Sequence, residues 1–452
     1  MSGPGRRDFL RSVALAGGFG ALAPSLAGLI AFGERPRPRA PRGPGYGPLR
    51  PAGPELALPD GFRYLRFGTE GDPMSDGRPT PMAHDGMAAF PGPGGDVLLV
   101  RNHEVRGMSQ ARLDIAEAYD PLAPGGTVTL RVRIDADGTP SLVSHFQSLA
   151  GTMVNCAGGP TPWGSWLTCE ETTLGTGNGY EREHGYVFDV PASAGRRLNR
   201  AEPIRAMGRF IHEAVAVDPA TGIVYLTEDA ATAGFYRFIP NTAGRLSEGG
   251  RLQMLGVLGE PHAVLVVGQT PGRARDVAWI DIRDPDPVDA ERHSATVFSE
   301  GFGNGGAMFS RLEGCWFGDG AVYFNATNGG DARCGQVWQY RPSAHDEGTL
   351  TLIYESPGRD VLDSPDNLTI SPRGGLLLCE DADASYVRGL TRDGHIFDFA
   401  RNILNGREFA GACYSPDGRV LFVNVQGDTV VDSPGAPGMT FAIWGPWERG
   451  DL

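Results

Sequence analysis

Short apolar runs, each followed by a polar turn and a second apolar run, recur along the chain after about residue 55. Four clear examples have turns rich in Asp, Pro, Ser or Gly, and they lie at 215–226, 315–324, 368–378 and 414–423. Turns of this composition join neighbouring strands of β-hairpins. Helical periodicity is weak in the same region. The pattern therefore predicts an all-β fold built from short antiparallel strands.

The spacing of these turns indicates a repeat. The turns near Asp319, Pro372 and Asp417 follow one another at steps of about 53 and 45 residues, and the step of about 100 residues from Asp218 fits two units of 45 to 50 residues. This is the length of one four-stranded blade of a β-propeller. We therefore expect a six-bladed β-propeller with loop insertions, and a pair of β-sandwiches is the alternative. The inner strands of a propeller surround one channel, so residues far apart in sequence can meet there.

The N-terminal segment predicts export. Arg6 and Arg7 precede Phe9-Leu10 and an apolar run interrupted by glycines. A twin arginine before such a run resembles a Tat signal. A transmembrane anchor is the alternative, but the glycines and Pro24 weaken such a helix. The prediction implies recognition by the Tat export machinery and a periplasmic or extracellular location.

Three regions follow from this interpretation. Residues 1–33 are the predicted Tat signal peptide, and 34–54 form a linker rich in proline and arginine. Residues 55–452 form the predicted propeller domain.

Composition narrows the range of partners. The net charge is −14, which disfavours nucleic acid and anionic membrane surfaces. The sequence contains no lysine, so any bound anion would be held by arginine guanidinium groups. Six cysteines are too few for a disulfide scaffold, although Cys156 and Cys169 could pair. We expect a monomer that takes a small-molecule partner.

Acidic and thiol side chains lie beside glycine and proline in four separated segments, at 101–104, 155–171, 212–213 and 366–381. Burying a carboxylate costs on the order of several kcal/mol unless a positive group neutralises it. A cluster of metal ions is the simplest neutraliser. The pattern therefore favours a metalloenzyme.

The segment from Asn155 to Glu171 is the most specific of the four. Cys156 enters a loop of glycines and prolines, and the strand that follows alternates, so Glu170 and Glu171 face opposite ways. Sulfur suits softer or redox-active metals, whereas oxygen suits Ca²⁺ or Fe³⁺. A small buried hydrophobic residue is the alternative role for Cys156.

Two further segments offer oxygen ligands. Glu213 is a candidate ligand, and its neighbour His212 is a candidate base, ligand or core residue. Asp366-Asn367 and Glu380-Asp381 face each other across a predicted hairpin and can supply three or four oxygens to a hard cation. Each of these two pairs has a structural alternative to metal binding, in which an aspartate caps a turn or the strand ends in solvent.

Arg209 and Arg333 are candidates for a bidentate clamp on an anion. An exposed surface position is the alternative for each.

Together these segments resemble the PhoX-type alkaline phosphatase family. The stretches that carry the resemblance span most of the chain in order, at 84–87, 102–104, 155–171, 208–213, 363–368, 379–381 and 437–441. The resemblance implies a six-bladed propeller that binds a mixed cluster of Fe³⁺ and Ca²⁺ with a bridging oxo group. It also implies a cysteine among the iron ligands and phosphate monoesters as substrates.

The same resemblance implies a set of metal ligands at Glu104, Cys156, Glu170, Glu213, Asp366, Glu380 and Asp381. The implied reaction is attack of a metal-bound oxo or hydroxide group on a phosphate monoester, with Arg209 and Arg333 stabilising the phosphoryl oxygens. Two other functions stay open. One is a calcium-dependent propeller lactonase or esterase, and the other is a non-catalytic exported propeller that binds a ligand.

Overall fold

The computed structural model describes residues 45–109, 113, 115–195, 197–343, 347–431 and 435–452. The chain divides into two units, Met1–Ala40 and Pro41–Leu452, and all described residues belong to the second. The predicted signal at 1–33 and the first part of the predicted linker lie outside the described residues. Within the described part of the chain, helices are too short or too polar to cross a membrane.

Strands dominate the structure, as the hairpin pattern predicts. In chain order they are β1 (Leu49–Pro51), β2 (Leu56–Pro59), β3 (Arg63–Phe67), β4 (His84–Pro91), β5 (Val97–His103), β6 (Gly125–Ile134), β7 (Pro140–Thr152), β8 (Asn155–Pro160), β9 (Ser165–Glu170), β10 (Val187–Pro191), β11 (His212–Val217), β12 (Val224–Glu228), β13 (Phe235–Pro240), β14 (Gly250–Val257), β15 (Ala274–Asp281), β16 (Leu312–Gly318), β17 (Ala321–Ala326), β18 (Gln336–Pro342), β19 (Gly348–Glu355), β20 (Pro365–Ile370), β21 (Leu376–Glu380), β22 (Tyr386–Leu390), β23 (Ile396–Asn402), β24 (Phe409–Tyr414), β25 (Val420–Val425) and β26 (Met439–Trp444).

Helices are few and short in the described residues. The α-helix α1 spans Thr296–Gly303, and short 3₁₀ turns span Pro93–Gly95, Thr176–Asn178, Arg205–Met207, Leu246–Glu248 and Trp447–Arg449.

The strands form six antiparallel blades. Blade 1 is β4 to β7, blade 2 is β8 to β10, blade 3 is β11 to β15, blade 4 is β16 to β19, blade 5 is β20 to β23, and blade 6 is β24 to β26. Blades 3 and 4 are joined in one nine-stranded sheet, because β15 pairs with β19. The first strand of each blade contacts the first strand of the next blade, and β24 returns to contact β4. The inner strands therefore close into a ring. This confirms the predicted six-bladed β-propeller.

Strands from the N-terminal part complete the last two blades. β3 pairs with β26, with Thr440 opposite Phe67, and so becomes the outer strand of blade 6. β2 pairs with β23 at the edge of blade 5, and β1 pairs with β2. Residues 49–51 lie in the predicted linker, but they form β1 and belong to the folded propeller.

Stacking of the blades explains why the strands are apolar on both faces. On β11, Val215 and Val217 pack with Leu167 and other residues of blade 2. Ala214 and Ala216, which alternate with them, pack in a second core with residues of blade 4. Each inner strand is thus buried on two sides, which gives continuous apolar runs instead of an apolar–polar alternation.

Candidate metal centre

One backbone hydrogen bond is repeated in all six blades at one end of the channel, here called the channel mouth. The N–H group of the residue that follows the second strand donates to the carbonyl of the residue that precedes the inner strand. The six donor–acceptor pairs are Glu104 to Ala83, Glu171 to Val154, Asp229 to Ile211, Thr327 to Arg311, Asp381 to Ser364 and Gln426 to Glu408, at 2.9 to 3.2 Å. These six hydrogen bonds, here called the frame, place two residues of each blade around one centre. The donor of each bond is the frame residue of its blade.

The inner strand of each blade begins with a β-bulge next to this frame. In five blades the first bulged residue is an acid or a thiol, namely Asp85, Cys156, Glu213, Glu313 and Asp366. In blade 6 the bulge begins at Gly411, and the acid at the mouth is Glu408. Bulges re-aim side chains at functional sites, and here they turn acids from successive blades toward a common centre.

Four of the residues that precede the inner strands have left-handed backbone conformations. The φ angles are 55° at Ala83, 49° at Val154, 46° at Arg311 and 48° at Ser364. Non-glycine residues rarely adopt such angles, and a β-branched valine does so at a clear cost. The recurrence of this conformation next to the bulges indicates that the surrounding structure holds the ligand positions in place.

The acids and the thiol at the mouth form three groups whose ligand atoms lie within 4.8 Å of one another. The groups are Cys156 with Glu171 and Glu213, then Glu213 with Glu313 and Asp366, and finally Asp85 with Glu104 and Glu408. Glu213 belongs to the first two groups, so these two adjoin. The mouth therefore offers three neighbouring positions for cations.

Without a bound cation, the buried acids and the thiol at the mouth are unfavourable in their charged forms. Burial, together with the charges of neighbouring acids, raises the pKa of Asp85, Glu213 and Glu313 well above the ordinary values. Burial and the charge of Asp381 raise the pKa of Asp366 to about 7. Burial and the charge of Glu213 also raise the pKa of the Cys156 thiol. A bound cation would reverse these shifts, because it stabilises the deprotonated ligands.

Two arginines balance part of this charge. Arg106 donates to both Glu104 and Glu171. Arg311 donates from Nε and Nη2 to the two oxygens of Asp229 at 2.9 and 3.1 Å, and from Nη2 to Glu313 at 3.0 Å. Both arginine side chains are about two-fifths exposed, which places them where the mouth meets solvent.

The donor set fits metal ions. The three groups contain seven carboxylates and one thiol, far more negative charge than two guanidinium groups neutralise. The buried Asp85 Oδ1 has no hydrogen-bond partner, while its Oδ2 accepts from the Gln426 amide at 2.8 Å. Carboxylate oxygens suit Ca²⁺ and Fe³⁺, and a thiolate suits a redox-active metal. The position beside Cys156 therefore fits iron, and the two oxygen-only groups fit calcium.

The structure brings together four of the predicted ligands, Glu104, Cys156, Glu213 and Asp366. Asp381 lies exposed at the rim, where it contributes to the raised pKa of Asp366.

Glu170 and Glu380 lie outside the three groups, and their predicted place in the metal centre needs correction. Glu170 accepts from His184 at 2.7 Å and from the backbone N–H groups of Met153, Gly185 and Tyr186. Glu380 likewise accepts from Arg388 at 2.8 Å and from two backbone N–H groups. Each points away from the channel because adjacent residues of a strand face opposite sides. In blade 2 the acid that belongs to the centre is one position later, at Glu171.

The predicted anion clamp also lies elsewhere. Arg209 is buried and donates to the carbonyls of His184 and Thr173 and to Glu183. Arg333 lies exposed in the loop between β17 and β18. Among the described residues, neither donates to an acid of the three groups, whereas Arg106 and Arg311 do.

The structure also answers two questions that the sequence left open, namely the role of His212 and the pairing of Cys156 with Cys169. His212 donates from Nε2 to the Gly208 carbonyl at 3.0 Å and packs on Phe210. Burial lowers its pKa to about 4, so it is a neutral core histidine. Cys156 and Cys169 are both free thiols.

Asp85, Glu171, Glu313 and Glu408 are the members of the three groups that the sequence interpretation did not select. A signal for two of them exists, because Asp85 and Glu313 each precede a glycine. A Cβ at Gly86 would lie 2.6 Å from Ala157 of the next blade. The close approach of inner strands therefore requires a small residue after the acid, so an acid followed by a small residue at the start of an apolar run marks the site.

Apolar residues lie directly below the three groups. Met87, Trp166, Cys315 and Leu368 are among the residues around a void of about 20 Å³, which holds about one water molecule.

Comparison with protein families identifies the family of this chain. Residues 45–428 match the family described as alkaline phosphatase PhoX. The match covers most of the chain, so this protein belongs to the PhoX alkaline phosphatase family. No curated protein matches the sequence.

Solved structures resemble the chain only remotely. A gluconolactonase from Xanthomonas campestris is 13% identical, with a TM-score of 0.37, and the alignment covers 88% of this chain and 99% of that protein. A luciferin-regenerating enzyme is 11% identical, also with a TM-score of 0.37, and the alignment covers 82% of this chain and 94% of that protein. Neither likeness carries an argument about function at this level of similarity.

Proposed function

We propose that this protein hydrolyses phosphate monoesters at the channel mouth, with cations held by the three groups. The observation that carries the proposal is the convergence of seven carboxylates and one thiol from all six blades in a member of the PhoX family. The proposed ions are Fe³⁺ at the group that contains Cys156 and Ca²⁺ at the oxygen-only groups. When bound, such ions supply Lewis-acid chemistry, which neutralises phosphoryl oxygens and lowers the pKa of water.

The arginines at the rim bind and orient the phosphoryl group in this proposal. Arg311 uses Nε and Nη2 for Asp229 and Glu313, which leaves Nη1 to donate to a phosphoryl oxygen. Arg106 is held between Glu104 and Glu171 and faces solvent in the same way. The carboxylates that hold the two guanidinium groups fix their orientation before substrate arrives.

The residues directly below the three groups leave room for about one water molecule on that side of the site. The phosphoryl group approaches from the open mouth, and the leaving alcohol points back to solvent. This arrangement is compatible with a range of alcohol groups, because only the phosphoryl end enters the frame.

Export through the Tat pathway belongs to the same proposal. A periplasmic or extracellular location would expose the site to Ca²⁺ and to external phosphate esters. Fractionation of cells that produce the full chain, with and without Arg6→Lys and Arg7→Lys, tests this part separately.

The first experiment is p-nitrophenyl phosphate turnover by the purified protein, combined with elemental analysis. We expect turnover, bound iron and calcium, and loss of activity in EGTA that Ca²⁺ restores. Undiminished turnover after complete removal of both metals would contradict the proposal. Turnover of a lactone with no turnover of the phosphate ester would favour the lactonase alternative, in which Cys156→Ala has little effect.

A further inference from the structure

Each blade has one side chain on its second strand that faces the next blade at the level of the three groups. The six residues are Asn102, Cys169, Thr227, Asn325, Cys379 and Asn424. Each is fully buried or nearly so, and each lies two residues before the frame residue of its blade. These side chains are not members of the three groups.

Four of these side chains donate to the main-chain carbonyl of a group member in the following blade. We call these contacts carbonyl clasps. They run from Asn102 to Cys156 at 3.1 Å, from Thr227 to Glu313 at 2.6 Å, from Asn325 to Asp366 at 2.5 Å and from Asn424 to Asp85 at 2.6 Å. The same contact thus recurs between blades 1 and 2, 3 and 4, 4 and 5, and 6 and 1.

The bulge explains why each carbonyl needs a partner from outside its own sheet. A bulged residue is left out of the regular ladder of its blade, and a buried carbonyl without a partner is costly. The clasp supplies this partner from the neighbouring blade. The main chain that carries each acid or thiol is therefore tied to two blades at once.

The carbonyl clasps have a specific use at the mouth, where several carboxylates of like charge lie close together. Without cations the carboxylates at the mouth repel one another, which favours outward movement of the bulged residues. A clasp holds the Cα of its target at a distance set by the neighbouring blade, and so keeps the acids spaced for cation binding. We propose that Asn102, Thr227, Asn325 and Asn424 are positioning residues, which set the affinity of the mouth for cations through the carbonyls that they clasp. The inference rests on the proposed metal-dependent function.

Thr227 offers the cleanest test. Its hydroxyl donates to the Glu313 carbonyl and accepts from the Ala214 N–H group at 2.9 Å. Thr227→Val keeps the shape but removes the clasp, and Thr227→Ser keeps the hydroxyl. The matched control is Thr129→Val, because Thr129 is also buried in a strand and its hydroxyl has no partner.

The measurement is calorimetric titration of Ca²⁺ into protein stripped with EDTA, alongside thermal unfolding of the metal-free protein. We expect Thr227→Val to weaken Ca²⁺ binding at least tenfold, Thr227→Ser to restore it, and Thr129→Val to leave it unchanged. Asn325→Leu, which removes the donor to Asp366, should weaken binding similarly and serves as the test if Thr227→Val does not fold.

A double-mutant cycle separates positioning from general stabilisation. If Thr227 acts through Glu313, then Thr227→Val should have little further effect on Ca²⁺ affinity in a Glu313→Gln background. Equal affinity for Thr227→Val and wild type, or fully additive effects in the cycle, would overturn the clasp proposal and leave the metal centre standing. Wild-type protein that binds no Ca²⁺ would instead refute the proposed function itself, and the clasp proposal with it.

Discussion

The mouth of the central channel and the region directly below it are built from the same six inner strands but have opposite chemistry. At the mouth, five bulged residues and Glu408 present acids or a thiol. Two residues further along the same strands, Met87, Cys315 and Leu368 line a void that holds about one water. The difference shows that the ring itself is a neutral scaffold, and that one bulge per blade converts one end into a charged site.

A finer contrast separates Glu170 from Glu171. Both lie at the end of β9, yet Glu170 is bound by His184 and three backbone N–H groups, whereas Glu171 belongs to the group with Cys156. Glu170 therefore supports the fold, whereas Glu171 belongs to the candidate metal centre. Charge alone therefore does not identify a metal ligand. The side of the strand on which a side chain lies decides which acid reaches the centre.

Glu213→Gln should have the largest effect, because Glu213 belongs to two of the three groups. We expect loss of phosphate-ester turnover by about a thousandfold or more, with reduced metal content and an unchanged fold by circular dichroism. Glu228→Gln is the control in the same blade. Burial raises the pKa of Glu228 to about 8, so it is already neutral at pH 7 and the amide should be tolerated.

Cys156→Ala should lower turnover by about a hundredfold, because it removes the one sulfur ligand of the groups. The iron-to-protein ratio should fall more than the calcium ratio. Cys413→Ala, at a buried thiol of blade 6 that is outside the groups, should keep both ratios. Equal metal content in the two variants would argue against iron at the Cys156 group.

Glu170→Gln should mainly lower the stability of the protein, and Glu171→Gln should mainly weaken metal binding. Burial lowers the pKa of His184, but the charges of Glu170 and Asp120 outweigh it and raise that pKa to about 9. Breaking this buried pair should cost about 3 kcal/mol of unfolding free energy. Glu171→Gln should instead weaken metal binding tenfold or more and leave the metal-free protein as stable as wild type. Chemical denaturation and Ca²⁺ titration together check both halves, and identical profiles for the two variants would contradict the contrast.

The metal-free protein should lose stability as pH rises. The ordinary pKa of an aspartate is 3.8, and that of Asp366 in the folded chain is about 7. Between these values the folded chain binds more protons than the unfolded chain, so the unfolding free energy falls with increasing pH. We expect the Tm in EDTA to drop from pH 5 to pH 7.5 by a few degrees. Added Ca²⁺ should reverse the drop, and a Tm that rises over this range without metal would be the contrary result.

The sequence predicts the propeller well because its turns are local signals. Segments such as 414–423 contain both apolar runs and the turn between them, so the hairpin and its length can be read from one stretch of chain. Cys156, Glu213 and Asp366 could be selected for a similar reason, since each stands out beside apolar strand residues.

The rest of the site depends on register, which local patterns do not reveal. Glu170 was selected instead of Glu171, and Glu380 was selected together with Asp381, because the direction in which a side chain at a strand end points depends on strand register. Arg311 precedes an inner strand with a left-handed φ of 46° and looks like an ordinary loop arginine in sequence. Asp85 and Glu313 each precede a glycine, as turn residues do, and only the neighbouring inner strand explains that glycine.

Because β3 pairs with β26, blade 6 gains its two outer strands only when the ribosome has delivered residues 439–444. Glu408 also comes from the C-terminal part of the chain, so the group with Asp85 and Glu104 is incomplete on any nascent chain that ends before Glu408. Assembly of the ion-binding end is thus a late event that joins distant parts of the folded unit. A chain released before Met439 would carry its acids on a ring whose last blade lacks β26 and the pairing of β26 with β3.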